Sequence, residues 1–137
     1  MADIIKLEVV TPEKSVVDED VQMVIAPGIL GEFGILPGHT TFLTTLKVGT
    51  IRYTDTNGKE RYVFVSGGFA EALPDKVTVL AESAERRQEI DLERAKDALQ
   101  RAEKRLAEDR EKQELDLVRA KAALERALQR IKLSGSF

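Results

Sequence analysis

The chain has 137 residues, 42% of them hydrophobic, and a formal net charge of -3 at pH 7. Without cysteine it can form neither a disulfide nor a thiolate metal site, and without an unopposed basic excess it lacks the charge expected of a nucleic-acid-binding protein. No apolar run approaches the roughly 20 residues that span a bilayer, and the N-terminus lacks the features of a signal peptide, so we expect a soluble, cytoplasmic chain.

Charge and aromatic residues divide the chain into two parts. Residues 1–84 carry 7 Lys and Arg against 12 Asp and Glu, whereas residues 85–137 carry 14 against 12. After six aromatic residues between Phe33 and Phe69, the next is Phe137. We therefore predict a domain over 1–84 with a core of large rings, and an appended domain over 85–137 that relies on Ala and Leu.

Short β-rich runs separated by turn residues fill the first part, from Ile4 to Ala81. Asn57-Gly58 lies between two such runs and is a strong hairpin signal, and Pro74 suits the first corner of another turn. Strands this short and regular predict an antiparallel β-sandwich or a flattened barrel.

Glycine and proline mark two special segments. Residues 27–38, PGILGEFGILPG, hold four glycines and two prolines, which predicts a structured loop rather than a regular strand. Gly67-Gly68 predicts either a bulge or a strand that switches sheets.

After Ala84 the hydrophobic period becomes helical, which predicts an antiparallel two-helix hairpin. Each helix carries one stripe in which Ala and Leu or Ile alternate: Leu92, Ala95, Leu99, Ala102 and Leu106, then Leu117, Ala120, Leu124, Ala127 and Ile131. Residues 107–114, AEDREKQE, are the place for the reversal, but they are also compatible with one long helix. Asp91 and Asp116 can cap the helices or act as first-turn acids.

The two helices are near-copies of each other. IDLERAKDALQRAEKRL from Ile90 recurs as LDLVRAKAALERALQRI from Leu115, so arginines flank the Ala/Leu stripe twice. These rows can converge on a polyanion, because the guanidinium fork suits phosphate oxygens. The competing interpretation is exposed arginines that pair with Glu93, Asp97 and Glu125, each pair contributing only about 0.3–0.5 kcal/mol.

Residue patterns for catalysis are missing from the sequence. There is no P-loop and no dinucleotide fingerprint, and His39, the single histidine, has no nucleophile near it. The acidic run from Asp18 to Asp20 is read as a solvated turn rather than a metal site. We expect neither an enzyme nor a bound metal.

Three segments together resemble the epsilon subunits of bacterial F-type ATP synthases: GEFGILPGHTTFLTTLKVGTIR, VSGGFAEALPDKVTVLAESAER and the IDLERA segment. The likeness runs essentially end to end. It implies an N-terminal β-sandwich followed by a C-terminal helical hairpin, the architecture that the periodicity predicts independently.

The resemblance implies a non-catalytic part of a rotor in a proton-translocating synthase. The sandwich would bind the gamma subunit and sit on the c-ring through its loops, with Glu32 and His39 as candidate contacts. The hairpin would permit ATP hydrolysis when folded, and restrain it when extended towards the alpha and beta subunits. Such a chain would lie at the cytoplasmic face of the plasma membrane, attached only through the complex.

In some relatives the folded hairpin binds ATP through a segment of the form [IL]-D-x-x-R-A, which residues 90–95 match. The resemblance therefore implies ATP as a regulatory ligand, with no obligatory cofactor. The residues that it assigns to ATP are Glu85, Ile90, Asp91, Arg94, Ala95, Arg101, Arg126 and Arg130.

Two functions of other classes stay open at this stage. A free-standing adaptor or chaperone-like protein would use the hairpin to recognise partner helices, and would have no affinity for gamma. A phosphate-binding or nucleic-acid module would use the arginine rows, although the balancing acidic residues argue against nucleic acid.

Overall fold

A computed structural model describes residues 4–108 and 114–135. The chain divides into two compact units, Met1–Arg87 and Gln88–Phe137. The division falls three residues beyond the predicted boundary at 84, because residues 84–86 form a last strand of the first unit.

The first unit is a flattened barrel, as the sequence predicts, but three of its strands are 14 residues long, which corrects the prediction of uniformly short strands. Its strands are β1 (Ile5–Val10), β2 (Ser15–Gly28), β3 (Gly31–Ile35), β4 (Phe42–Asp55), β5 (Glu60–Leu73), β6 (Lys76–Ala81) and β7 (Ala84–Arg86). The order β1-β6-β5-β4-β2 closes on itself, because β2 also pairs with β1. The β1–β6 pairing is parallel and the others are antiparallel, while β3 and β7 are attached to β2 and β5.

The barrel core is mainly aliphatic, which corrects the prediction of a core of large rings. β-branched residues fill most of the fully buried positions, as expected where side chains pack on a pleated surface. Tyr53 is a fully buried ring of this core, and Phe33 and Phe42 pack partly against it. Phe64 is also buried, but it lies outside the core cluster. Phe69, by contrast, is 54% exposed.

The hairpin predicted at Asn57-Gly58 joins β4 to β5. Gly58 has φ of +81°, and the Asp55 carboxylate accepts hydrogen bonds from the backbone N–H groups of Lys59 and Asn57, both at 2.9 Å. Arg61 Nε donates to the same carboxylate at 3.2 Å. The Lys59 bond first, and then Arg61, hold the pKa of Asp55 below its usual value.

Residues 27–38 are not a loop throughout, so that prediction is wrong. β2 continues to Gly28, a turn follows at residues 29–30, and β3 runs antiparallel to it. Pro27 is tolerated because it sits where the β2–β4 register shifts, and the glycines are tolerated because β3 pairs only with β2 in the described chain.

The same sheet contains two further segments with sequence predictions, residues 18–20 and Gly67-Gly68. Residues 18–20 lie within β2 opposite β1 and form no turn, which corrects the solvated-turn interpretation. At Gly67-Gly68 the β4–β5 register stays in step, while the neighbour of β5 on its other side changes from β7 to β6. The two glycines therefore mark a change of strand partner, not a bulge against β4.

The second unit is a two-helix hairpin of α1 (Leu92–Glu108) and α2 (Glu114–Gly135), which pack against each other. A short 3-10 turn, Arg87–Glu89, precedes them. The reversal predicted within 107–114 falls largely on residues 109–113, which lie outside the described residues. Four alanines of the predicted stripe are at most 3% exposed, namely Ala95, Ala102, Ala120 and Ala127. The stripe leucines and Ile131 are half-buried, so the alanines form the centre of the seam.

Candidate functional site

The arginine rows lie beside the alanine seam. Arg94, Arg101, Arg119 and Arg126 each directly precede one of its four alanines. One residue corresponds to about 100° around a helix, so all four occupy the same flank relative to the seam. In an antiparallel pair the two helices are related by a two-fold axis perpendicular to both, which places equivalent flanks on the same side. The two rows therefore share one face of the hairpin.

The spacing of the alanines also indicates which arginines face each other. Ala95 with Ala127, and Ala102 with Ala120, are both centred on residue 111, at the reversal. In that register Arg94 lies across from Arg126, offset by only two positions. We call Arg94, Arg101, Arg119 and Arg126 the arginine face.

The arginine face carries charge that the described chain does not neutralise. Arg94, Arg101 and Arg119 are exposed, and Arg126 is half-buried. None of these four forms an ion pair with a residue in the described ranges. The expected pairs with Glu93, Asp97 and Glu125 are thus not made among the described residues, and the guanidinium groups remain available to an anion.

The other residues assigned to ATP have different surroundings. Asp91 is the N-cap of α1, because its Oδ1 accepts from the Arg94 N–H at 3.1 Å and its carbonyl accepts from the Ala95 N–H at 3.0 Å. This confirms the capping prediction for Asp91, whereas the Asp116 side chain is outside the described part. Ala95 is buried in the seam, and Ile90 and Arg130 are half-buried. Glu85 belongs to the barrel unit, where it pairs with Phe64 in the sheet.

The predicted contact residues Glu32 and His39 line one shallow depression of the barrel, about 480 Å³ in volume. Arg52 Nη2 lies 3.3 Å from a Glu32 carboxylate oxygen, so these two partly exposed side chains form a surface ion pair. The His39 ring packs edge-on against Phe42 with centroids 5.1 Å apart, and its Nδ1 is 2.7 Å from the Thr40 carbonyl oxygen. The two residues thus lie at one site.

Apolar side chains surround this depression. Leu30, at the turn between β2 and β3, is fully exposed at 100%, and Ile29, Leu36 and Leu43 are more than half exposed. We call Ile29 and Leu30 the barrel tip. Large apolar groups concentrated on an exposed surface are typical of contact sites.

A second apolar surface was missed by the sequence analysis. Phe69 of β5 and Leu80 of β6 are cross-strand partners, and both are exposed. Leu43 of β4 is the diagonal neighbour of Phe69 and is exposed as well. The alternation in FAEA, where Ala70 and Ala72 are buried, could have revealed that Phe69 points outward. We call Leu43, Phe69 and Leu80 the strand-face patch.

Residues 4–108 and 114–135 contain neither a helix that could span a membrane nor a cluster of metal-ligating side chains. No helix there is long and apolar enough to cross a bilayer. In the same ranges, no three His, Cys, Asp or Glu side chains are grouped so that they could hold a metal ion.

The fold and these surfaces define a two-domain protein, a β-barrel followed by an arginine-bearing helical hairpin, with surfaces suited to partner contacts. Residues 4–87 match the family described as ATP synthase, Delta/Epsilon chain, beta-sandwich domain, and residues 88–135 match the corresponding long alpha-helix domain. The chain therefore belongs to the ATP synthase delta/epsilon chain family, which confirms the predicted resemblance and the predicted fold.

Similar proteins agree with this assignment. The chain is 66% identical over 108 residues to the ATP synthase epsilon chain of Desulforapulum autotrophicum, covering 79% of this chain and 80% of that protein. It is 62% identical over 106 residues to the epsilon chain of Desulfosudis oleivorans, covering 77% and 80%.

Solved structures share the fold at low sequence identity. A chain of the Euglena gracilis mitochondrial ATP synthase, from a structure of OSCP, F1 and c-ring, superposes with a TM-score of 0.80 at 24% identity, covering 94% of this chain and 80% of that chain. A chain of the central stalk and c-ring of the Tetrahymena thermophila mitochondrial ATP synthase gives 0.62 at 12% identity, covering 95% and 96%.

Proposed function

We propose that the chain is a non-catalytic rotor subunit of a proton-translocating F-type ATP synthase. It couples gamma to the c-ring through the barrel, and it regulates ATP hydrolysis through the helical hairpin. The protein is peripheral to the cytoplasmic face of the bacterial plasma membrane, held there by the complex. The family supports the assembly, and the surfaces of the barrel support the division of its contacts.

The coupling role rests on two apolar surfaces of one barrel, which adjoin at Leu43, because Leu43 lines the depression beside Leu30 and also belongs to the strand-face patch. The barrel tip projects from a short hairpin beside the carboxylate of Glu32 and beside His39, which suits a small contact with the c-ring. The strand-face patch lies on the paired strands β4, β5 and β6, which suits a side-on contact with gamma. The observation that carries this role is the complete exposure of Leu30.

The regulatory role rests on the arginine face. Guanidinium groups that lack carboxylate partners in the described chain favour binding of a polyanion, and ATP supplies several phosphate oxygens. ATP that binds only the folded hairpin stabilises that state by RT ln(1 + [L]/Kd) and holds it away from the alpha and beta subunits. Because the seam is made of small alanine side chains, little buried apolar area becomes exposed to water when the hairpin opens. The folded and extended states are therefore close in free energy.

Two single substitutions separate the two partner contacts. We expect Leu30→Asp to weaken retention on c-ring-containing complexes at least about tenfold while binding to isolated gamma is kept, because a charge replaces an apolar contact worth about 1.5–3 kcal/mol. Leu80→Asp should do the reverse. Each variant is the matched control for the other, and both contacts are measured by co-purification.

The free-standing adaptor makes the opposite prediction for the wild-type chain. If that chain is folded and binds neither gamma nor c-ring complexes, the rotor assignment is wrong. If both variants weaken both contacts equally, the division between barrel tip and strand-face patch is wrong.

A further inference from the structure

The C-terminal end of the barrel is fixed by an unusually complete set of contacts. Ser83 N–H donates to Ser66 Oγ at 2.9 Å, and Ser66 N–H donates to the Ser83 carbonyl at 3.0 Å. β7 then pairs with β5, with Arg86 opposite Val63. A strand of only three residues would otherwise be weakly held, so these side contacts matter.

The Arg86 side chain connects this strand to β2 and β4. Its Nε donates to the Val16 carbonyl at 3.0 Å, and its Nη1 donates to the Tyr53 hydroxyl oxygen at 3.3 Å. Tyr53 is almost fully buried, and its hydroxyl also bonds to the Glu19 side chain. Burial first, and then the Glu19 bond, raise the pKa of Tyr53 to about 12, so the hydroxyl stays neutral at physiological pH.

Arg87 is held separately. Arg87 begins the 3-10 turn that follows β7, and its side chain has a contact of its own. Its guanidinium lies 5.5 Å from the centre of the Tyr62 ring, within the range of a cation–π contact. The side chains of Arg86 and Arg87 thus both contact the barrel at the point where it ends.

Asp91 lies four positions after Arg87 and makes contacts at the start of α1. Asp91 caps α1 with both its side chain and its carbonyl. Between Arg87 and Asp91 lie Gln88 and Glu89, which are exposed, and Ile90, which is half-buried.

We infer that Arg86 and Arg87 form a clasp that confines hairpin movement to a hinge at residues 88–90. This inference rests on the proposed mobile hairpin and adds where it bends. The clasp lets the hairpin open without unpairing β7, so the barrel keeps its grip on its partners in both states. It also explains why the barrel continues past residue 84.

Amide hydrogen exchange of the full chain, with and without saturating ATP, tests the clasp. In the wild type, amides of residues 84–86 should exchange at rates that ATP changes by less than about twofold, whereas amides of 88–90 should slow when ATP is added. In Arg86→Met, exchange at 84–86 should rise at least about tenfold, while the paired amides of β4 and β5 stay protected. Tyr53→Phe, which removes one of the two Arg86 bonds, should give a smaller rise. Arg52→Met is the matched control, because it removes a strand arginine whose ion pair is with Glu32.

Different outcomes contradict different proposals. Unchanged exchange at 84–86 in Arg86→Met overturns the clasp whatever ATP does, and so does wild-type exchange at 84–86 that follows ATP together with 88–90. No response to ATP anywhere in the hairpin contradicts the ATP-held hairpin instead, and the Arg86→Met comparison then decides the clasp alone.

Discussion

We expect replacement of Gly68 by alanine to destabilise the barrel by about 2–6 kcal/mol, because two costs add at one position. Gly68 has φ of +135°, a conformation that costs a residue with a side chain about 1–3 kcal/mol. A Cβ there would lie 2.1 Å from the Leu80 carbonyl oxygen and 2.9 Å from the Ala81 Cα. Overpacking of this kind costs a further 1–3 kcal/mol or so.

The clash at Gly68 cannot be relieved by a side-chain rotation. Both atoms that the new Cβ meets are backbone atoms of β6, and β6 is held on its other side by β1, with Val10 opposite Leu80. Relief would require β6 to move away from β5 at the place where β5 changes neighbour. The prediction is therefore a loss of global stability rather than a local adjustment.

Urea denaturation of Gly68→Ala beside Gly34→Ala measures this effect. Gly34 is the matched control, since a Cβ there meets no atom closer than 4.0 Å and no positive φ is recorded for it. We expect Gly34→Ala to lie within about 1 kcal/mol of the wild type. Equal effects of the two substitutions would show that the approach of β5 to β6 at Gly68 is not tight.

If the proposed ATP site is correct, we expect replacement of Arg126 by alanine to weaken ATP binding to the isolated chain about 10- to 150-fold. Hydrogen bonds to charged groups contribute about 1.5–3 kcal/mol, which corresponds to that range. Arg126 is the half-buried member of the arginine face and lies across from Arg94, so its guanidinium is the most restricted of the four before a ligand arrives. The Arg126 side chain then loses less conformational entropy when ATP binds.

Calorimetric titration with ATP, with Lys121→Ala as the control, measures this effect. Lys121 is an exposed cation on the same helix but on the other flank of the seam, so the control removes the same charge from a different face. Alanine favours helix at least as well as arginine or lysine, so loss of helix does not explain a difference between the variants. If both variants weaken binding equally, or if the wild type binds no ATP at millimolar concentration, the arginine face is not a nucleotide site.

The helical hairpin was predictable because one simple pattern carries it. Ala and Leu alternate at helical spacing in two copies, and the four alanines that the pattern placed at the seam are the buried ones. Because the two helices are near-copies of each other, the sequence also predicted that their arginines lie on the same flank of the seam. Their lack of ion pairs in the described chain could not be predicted, because surface pairs at helical spacing contribute so little that rotamer entropy can prevent them.

The barrel was predictable in class but less so in detail. Alternation identified segments of its strands but not their length, because residues 18–20 within β2 were read as a turn. β3 was hidden because its glycines and the neighbouring Pro27 are typical of loops unless a strand is paired on one side only. The role of Phe69 was hidden because an aromatic residue in a strand fits either face of the sheet. The continuation into β7 depends on Arg86 contacting residues 33 and 70 positions away in the chain, which no local pattern contains.

The most direct test of the regulatory account is the rate of ATP hydrolysis by an alpha–beta–gamma complex that carries either the full chain or a chain ending at Arg87. Ending at Arg87 keeps β7 and its contacts, so binding to gamma is retained and verified by co-purification. We expect faster hydrolysis with the shortened chain at low ATP, and a difference that shrinks as ATP rises and holds the hairpin folded. Equal rates with both chains at every ATP concentration, with both chains bound, would contradict the regulatory account.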